Sequence, residues 1–330
     1  MKKYNVAIVG ATGLVGSTFL KVLAEYNFPV KNLRLLASIK SVGKIINYAG
    51  RDYVVECLDD MSFDGMDIAL FSAGASVSKQ YAPIAAAKGC LVIDNSSAWR
   101  MDPIVPLVVP EVNMEDIKKT GIIANPNCST IQCMLPLKAL DNVYGLERVV
   151  YTTFQSVAGS GMKGILDLDA TRRGESPSFY PYSISDTCIP EIDILMPDGY
   201  TKEEMKMIDE SRKILHHPDL KISATCVRVP IRLSHAVSIQ VELKNDFDIS
   251  NVRKILAEFK NIVVVDDMSK HLYPVSTMSN GNDKVYVGRI RKDLSAPKSL
   301  LLYCVADNIR KGAASNAVQI AQEIIAKGII

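Results

Sequence analysis

The sequence of 330 residues lacks several features that mark whole classes of protein. Its net charge is only +2 and its basic residues are scattered, so no surface for nucleic acid or another polyanion is indicated. No apolar run reaches the roughly 20 residues of a membrane-spanning helix. The four histidines follow no metal-ligand spacing, so no metal site is predicted. What remains is an ordinary globular composition, 48% hydrophobic and 22% charged.

Cysteine is also used sparsely. The seven cysteines are odd in number, widely spaced and form no Cys-x-x-Cys pair, so we expect reduced thiols and a cytoplasmic protein. The apolar start of the chain is interrupted by Thr12 and three glycines, which predicts a strand and a loop rather than a targeting segment. The length suits two domains better than a single core.

One cysteine stands where a strand is expected to give way to a helix. Ile122–Ala124 is typical of a buried strand, an Asn-Pro pair breaks it, and Asn127 suits a helix N-cap. Cys128 would then lie at a helix N-terminus, where free N–H groups and the helix dipole favour a thiolate nucleophile. A buried structural cysteine is the alternative. Pro136, within the same expected helix, argues mildly against a regular helix.

A glycine-rich turn follows the first expected strand, Tyr4–Val9, and precedes an amphipathic helix. Strand, glycine turn and helix in this order are typical of dinucleotide binding. Gly10 would allow the tight turn, Gly13 the approach of a pyrophosphate, and Gly16 close packing of the helix, whose N-terminus supplies an anion site. The spacing is G-x-x-G-x-x-G rather than the stricter G-x-G-x-x-G, so a plain glycine turn is the alternative.

The second expected strand, Leu33–Ala37, ends without a carboxylate. An NAD-specific site would place an acidic residue there to bind the ribose 2′-hydroxyl. Lys40 and Ser41 follow instead and suit a 2′-phosphate, which favours NADP. The alternative is that Lys40 and Lys44 are solvated loop charges.

Two further strands, Ile68–Phe71 and Leu91–Ile93, alternate with a helix expected at Val77–Lys88. This alternation predicts a parallel α/β sheet, whose ligands bind at the carboxyl ends of the strands. Arg100 follows one of these ends. It is therefore a candidate anion-binding residue, with a plain surface arginine as the alternative.

From Glu147 onward the pattern changes to long β-rich runs, which predict an antiparallel or mixed sheet. These runs are Val149–Phe154, Ser223–Val229, Ala236–Leu243 and Lys284–Ile290, with helices expected at Ser160–Arg173 and Tyr200–Lys213. The predicted fold class is therefore α/β, with a Rossmann-type parallel-sheet domain and a second, α+β domain with a mixed sheet, to which the family resemblance described below assigns catalysis and dimerisation. We place the first domain at residues 1–127, completed by a C-terminal helix within 307–330, and the second at 128–306.

The second domain offers two pairs of candidate residues. Glu203 and Lys206 are three apart near the start of a predicted helix, and a solvated ion pair is the simpler interpretation. Arg228 and His235 would point to opposite faces of one continuous strand, but Pro230 argues against such a strand. A chain break between them would aim both at one site, although a lone histidine is more often a satisfied polar residue.

The complete set of motifs resembles the aspartate-semialdehyde dehydrogenase family, in its shorter bacterial branch. The matching stretches span nearly the full length in the family's order: Gly10–Gly16, Asp94–Arg100, Asn125–Thr130, Gln155–Gly161, Glu203–Lys206, Arg228–Pro230 with His235, and Asp307–Ala314.

The resemblance implies a role for each motif. Cys128 would form the acyl thioester, His235 would be the general acid/base, and Gln155, Glu203 and Arg228 would orient the substrate, bind its amino group and bind its α-carboxylate. Arg100 and Lys206 would bind phosphate. NADP would contact Gly10, Thr12, Gly13, Leu14, Val15, Lys40, Ser41, Ser72, Ala158, Gly159 and Asn308. A homodimer formed through the second domain is also implied.

The implied reaction interconverts L-aspartate 4-semialdehyde and 4-phospho-L-aspartate, a step in lysine, threonine and methionine biosynthesis. It needs a polarised thiol, a base with a near-neutral pKa and fixed anion sites. Two alternatives stay open. One is N-acetyl-glutamyl-phosphate reductase, whose blocked substrate amine does not require Glu203, and the other is a non-catalytic relative that binds NADP.

Overall fold

A computed structural model describes residues 2–118 and 121–330, and in it the chain divides into two units. The first unit contains the chain up to Pro126 together with Ala313–Ile330, and the second contains Asn127–Gly312. The chain therefore returns to the first unit at Ala313, whereas we expected it to return at Asp307. The cause is local, because the carboxylate of Asp307 accepts a hydrogen bond from Gly281 N at 2.9 Å and so holds this segment in the second unit.

Strands and helices alternate along the described residues. The strands are β1 Tyr4–Val9, β2 Val30–Ala37, β3 Ile45–Tyr48, β4 Arg51–Cys57, β5 Ile68–Phe71, β6 Leu91–Asp94, β7 Ile122–Ala124, β8 Leu146–Gln155, β9 Lys221–Arg228, β10 His235–Leu243, β11 Ile262–Val264, β12 Val285–Lys292 and β13 Ser299–Ala306. The helices are α1 Leu14–Glu25, α2 Ala75–Ala87, α3 Pro110–Asn113, α4 Cys128–Tyr144, α5 Met162–Arg172, α6 Lys202–Leu215, α7 Ile249–Glu258, α8 Ser276–Ser279 and α9 Ser315–Ala326.

The first unit is a sheet in the order β3-β4-β2-β1-β5-β6-β7, parallel except for the β3–β4 pair. Its central strands are continuous apolar runs because helices cover both faces. α1 and α9 share a core with one face, and apolar residues of α2 pack on the other. The predicted Rossmann-type parallel sheet is confirmed, and β1, β5 and β7 have the predicted bounds.

The β3–β4 hairpin was not predicted from the sequence. Its turn places Ala49 at φ 50° and Gly50 at φ 79°, the two positive values that a tight hairpin turn requires. An Ala-Gly pair is a weak signal for this turn, because alanine rarely adopts a positive φ. The hairpin extends the sheet at the edge beside β2.

The second unit is a mixed sheet in the order β11-β12-β13-β10-β8-β9, as predicted for this domain. The β8–β9 and β11–β12 pairs are parallel and the other pairs are antiparallel. α4, α6 and α7 pack against strands of this sheet. Along β8 and β10, buried residues alternate with half-buried ones, which indicates that the other face is less fully covered.

Candidate active site and dinucleotide-binding turn

Cys128 is the first residue of α4, as the sequence predicts. The side chain of Asn127 caps the helix, since its Oδ1 accepts from Ser129 N at 2.9 Å. Cys128 is half-buried, whereas Cys133 in the same helix is fully buried and its pKa is raised by that burial. Cys128 is therefore not fully buried, and its role as the nucleophile, against that of a structural cysteine, stays a prediction.

The mild expectation that Pro136 disrupts this helix is also wrong. α4 continues through Pro136 to Tyr144, and most of its residues, Pro136 among them, are buried. Proline costs a helix one backbone hydrogen bond, but packing of the helix on its neighbours can outweigh that loss.

Gly312 lies directly against the nucleophile. A Cβ atom at Gly312 would stand 3.0 Å from Cys128 Cβ and 3.3 Å from Cys128 Cα. Such distances are tighter than side chains normally adopt, so the helix start would have to shift. The absence of a side chain at Gly312 therefore leaves room for Cys128 at the start of α4.

Glu203 is the centre of a buried hydrogen-bond network. Its Oε1 accepts from Asn127 Nδ2 at 2.9 Å and from Gln155 Nε2 at 3.0 Å, and its Oε2 accepts from Lys206 Nζ at 3.0 Å. Burial acts to raise the pKa of Glu203, but the charge of Lys206 and these hydrogen bonds outweigh it and lower the pKa to about 2. The interpretation as a solvated pair is therefore wrong, because Glu203 is only 5% exposed.

Lys206 contacts a second carboxylate. Its Nζ lies 2.6 Å from Asp193 Oδ2 as well as 3.0 Å from Glu203 Oε2. Burial acts to lower the pKa of Lys206, but the two carboxylates outweigh it and raise the pKa. No local pattern predicts this role for Asp193, which lies thirteen residues away in an irregular loop.

Arg228 and His235 approach one point, as the predicted chain break allows. β9 ends at Arg228, β10 begins at His235, and Ser234 between them has φ 70°. A Cβ at Gly159 would stand 2.9 Å from Arg228 Nη1 and 3.3 Å from His235 Nε2, so both side chains lie beside this glycine. Both are also buried, at 5% and 0% exposure.

The backbone fixes the tautomer of His235. Ser156 N donates to His235 Nδ1 at 3.0 Å, so the proton of the neutral ring is on Nε2. Among the described residues, Nε2 has no hydrogen-bond partner. Burial and then the charge of Arg228 lower the pKa of His235 to about 3. The expectation of a base with a near-neutral pKa is therefore wrong for this structure.

We expect His235 to remain uncharged from pH 8 to about pH 4.5, because its pKa is lowered to about 3. The measurement is a pH titration of the histidine ring signals by NMR, with His235→Asn identifying the resonance. A midpoint near 6.5 would contradict this. The unfolded chain takes up this proton near pH 6.5, whereas the folded chain takes it up only near pH 3. His235 should therefore lower the free energy of unfolding as the pH falls from 6.5 to 3. The His235→Asn variant should lose less stability over the same pH range.

Asn308 completes the surroundings of His235. Its Oδ1 accepts from Ser156 Oγ at 3.1 Å and from Ser234 N at 2.9 Å. Its Nδ2 is buried and has no partner within the described part of the chain, which leaves this NH2 group available to donate to a ligand. The sequence assigned no role to Ser156, whose backbone N–H and carbonyl contact His235 and Arg228 and whose Oγ lies 3.2 Å from His235 Nδ1.

The glycine turn of the first unit has the geometry that the dinucleotide prediction requires. Gly10 has φ +86°, and a Cβ there would stand 2.4 Å from Ser72 O. A Cβ at Gly16 would stand 2.1 Å from Gly10 O, so this glycine lets α1 pack closely on the turn. Gly13 caps α1 without a side-chain bond, and the first turn carries no acidic residue. These N–H groups suit a pyrophosphate.

The residues expected near a 2′-phosphate also lie together. β2 ends at Ala37, and Lys40 and Ser41 follow in a short 3-10 turn, Ile39–Ser41. Thr12 Oγ1, from the glycine turn, donates to Ser41 Oγ at 3.2 Å. Leu14 and Val15 begin α1, so they share the end of the sheet where β1 gives way to the helix.

Arg100 is held inside the first unit. Its Nε donates to Asn125 O at 3.0 Å and its Nη2 to Asn95 O at 2.7 Å, just beyond the carboxyl ends of β7 and β6. At 7% exposure it is not the plain surface arginine of the alternative interpretation. Its place at the carboxyl ends of parallel strands is where such sheets bind ligands.

Comparisons with known proteins cover both units. Residues 5–120 match the family described as "Semialdehyde dehydrogenase, NAD binding domain", and residues 137–311 match "Semialdehyde dehydrogenase, dimerisation domain". The aspartate-semialdehyde dehydrogenase of Aquifex aeolicus is 51% identical, with 99% of each chain covered. In the part of the chain that the structure describes, no helix combines the length and apolarity needed to cross a membrane.

Solved structures are similar over the same length. Aspartate semialdehyde dehydrogenase II of Vibrio cholerae complexed with ASA has a TM-score of 0.95 and 43% identity, with 99% of each chain covered. Aspartate semialdehyde dehydrogenase of Candida albicans with NADP has a TM-score of 0.79 and 25% identity, with 100% of each chain covered.

Proposed function

The chain belongs to the aspartate-semialdehyde dehydrogenase family, and from this we propose that it interconverts L-aspartate 4-semialdehyde and 4-phospho-L-aspartate. The reaction would use NADP and phosphate, proceed through a thioester on Cys128, and serve lysine, threonine and methionine biosynthesis. Its fold and its close relatives make it an oxidoreductase with a nucleotide-binding domain.

The observation that carries the substrate assignment is the buried carboxylate of Glu203. Its pKa of about 2 keeps it ionised. Gln155 donates a hydrogen bond to it, and so does Asn127, the residue that precedes Cys128. A buried anion is costly unless a cation or hydrogen bonds compensate it. A substrate ammonium suits such a group, whereas the acylated amine of N-acetylglutamate semialdehyde has no positive charge.

The chemistry begins with the thiolate of Cys128, which attacks the aldehyde carbon. As the carbonyl oxygen becomes negative, the Nε2–H of His235 can donate to it, and a buried donor is effective there because water is excluded. On this basis we propose that His235 is the general acid/base and that it acts first as a hydrogen-bond donor through Nε2–H. When bound, NADP supplies the hydride acceptor, and the Gly10 turn and the uncapped start of α1 would hold it.

The second half of the reaction transfers the acyl group from Cys128 to phosphate. Lys206 and Arg100 are the cations that we assign to this anion. Arg228 would grip the α-carboxylate of the substrate with its planar guanidinium. Gln155, whose Oε1 accepts from Thr153 Oγ1 at 2.9 Å, would orient the substrate beside Glu203.

One assay tests the proposal against its alternatives. Reduction of NADP is followed with aspartate semialdehyde and with N-acetylglutamate semialdehyde, each with and without phosphate. Phosphate-dependent turnover of the first substrate supports the proposal. Preference for the acetylated substrate would favour the reductase alternative, and the absence of turnover with either would favour a non-catalytic relative.

We expect NADP to be preferred over NAD, because β2 ends without a carboxylate and Lys40 follows. Lys40→Ala should lower kcat/KM for NADP roughly tenfold, as loss of one charged hydrogen bond does, and leave kcat/KM for NAD unchanged. Lys44→Ala is the matched control. Equal or better kcat/KM with NAD in the parent enzyme would refute the preference.

We also propose a homodimer in which a second copy covers the open face of the mixed sheet. Thr152, Ser238 and Tyr303 lie side by side on β8, β10 and β13, and all three are half-buried. Together with Phe154, whose ring lies 6.2 Å from that of Tyr303, they form a surface with little charge. Light scattering tests this, since Ser238→Arg should halve the molar mass if the face is the interface.

A further inference from the structure

The cation assigned to phosphate is not free to receive it in this structure. Lys206 Nζ lies 2.6 Å from Asp193 Oδ2 and 3.0 Å from Glu203 Oε2. One ammonium between two carboxylates leaves the group with a net negative charge. Bringing a phosphate anion to this group would be opposed by like-charge repulsion, so one carboxylate has to leave Lys206.

The two carboxylates are held very differently. Glu203 is buried and accepts from Asn127 and Gln155 in addition to Lys206. The side chain of Asp193 is 31% exposed, and besides Lys206 its partner is the adjacent backbone, Ile194 N at 2.9 Å. Water can replace the contacts of Asp193 at little cost, whereas separating Glu203 from Lys206 would leave a buried carboxylate without its cation.

The backbone around Asp193 allows the side chain to leave without unfolding the loop. Asp193 has φ 71°, a left-handed conformation that aspartate tolerates better than most residues. The loop is fixed on both sides, because Ile189 pairs with Arg228 and Leu195 pairs with Thr201. Rotation of the Asp193 side chain between these two fixed points is sufficient to separate it from Lys206.

We propose that Asp193 occupies the place of phosphate on Lys206 in the resting enzyme and is displaced when phosphate binds. This inference rests on the proposed function, which assigns Lys206 to phosphate. Asp193 acts through Lys206 and is a positioning residue. In the absence of phosphate it holds the lysine beside Glu203, and its carboxylate competes with the incoming anion.

Asp193→Asn tests the proposal, because asparagine keeps the shape and accepts the left-handed backbone but removes the charge. KM for phosphate and the Kd of inorganic phosphate measured by calorimetry should both fall, by roughly two- to fivefold, the effect of a partly exposed ion pair. KM for the semialdehyde should stay at the parental value. A purely structural role for Asp193 would change both KM values or the thermal midpoint instead.

Asp186→Asn is the matched control, since it removes the same charge from an exposed position in the same loop, where Ser185 Oγ donates to the carboxylate at 2.7 Å. It should leave KM for phosphate unchanged. An unchanged or higher KM for phosphate in Asp193→Asn, or an equal fall in the control, would overturn the inference. Failure of the proposed function looks different, because the parent enzyme itself would then show no dependence on phosphate.

Discussion

Replacing Cys128 with serine is expected to lower turnover by roughly a thousandfold or more, because the covalent route depends on a thiolate. A serine hydroxyl needs an adjacent base to become a nucleophile. The Nε2 of His235 already carries a proton in this structure, so it cannot serve as that base. Folding and NADP affinity should stay close to the parental values, since the glycine turn belongs to the other unit and Cys128 is not among the residues assigned to NADP.

The measurements are phosphate-dependent reduction of NADP, NADP affinity by calorimetry, and the thermal midpoint. Cys188→Ser is the matched control, because Cys188 is an exposed cysteine of the same unit. Turnover near the parental value in Cys128→Ser, or loss of NADP binding, would remove Cys128 from the proposed role.

Arg228→Lys is expected to lower kcat/KM for the semialdehyde by roughly ten- to a hundredfold, the effect of losing one charged hydrogen bond of about 1.5–3 kcal/mol. Lysine keeps the charge but lacks the planar fork that binds a carboxylate through two parallel bonds. One N–H of Arg228 is already used, since Nη1 donates to Ser156 O at 2.7 Å. The remaining donors are the ones assigned to the substrate.

The alternative for Arg228 is structural, because this hydrogen bond and the pairing of its backbone with Ile189 also hold the site together. kcat/KM is therefore measured beside the thermal midpoint. Arg232→Lys is the control, an arginine between the same two strands that pairs with Asp169 at the surface. A variant that loses stability but keeps the parental kcat/KM per folded enzyme would move Arg228 out of the site.

Much of the fold follows from local sequence patterns. Continuous apolar runs mark β1, β5 and β7, and Asn127 marks the start of α4, because these signals depend on neighbouring residues. The break between Arg228 and His235 was predicted from Pro230 and from the odd spacing alone. The β3–β4 hairpin was not, because its turn needs a positive φ at Ala49 that alanine does not signal.

The properties of the site that local spacing did not indicate depend on contacts between distant segments. From the spacing alone, Glu203 is predicted to be a solvated partner of Lys206. The fold instead buries it against Asn127 and Gln155, which are distant in sequence. Asp193 reaches Lys206 from an irregular loop. Likewise, the pKa of His235 is lowered by burial and by Arg228, and neither burial nor that contact is a property of the local sequence.

The bond from Ser156 N to His235 also affects how this site could be redesigned. The donor is an amide of the main chain, so alanine scanning would remove the Ser156 hydroxyl and leave this donor in place. Proline alone among the natural residues lacks that N–H, and the φ of −66° at Ser156 is one that proline adopts. The protonation pattern of His235 is thus encoded in the path of the chain, and proline is the one substitution at position 156 that would remove this donor.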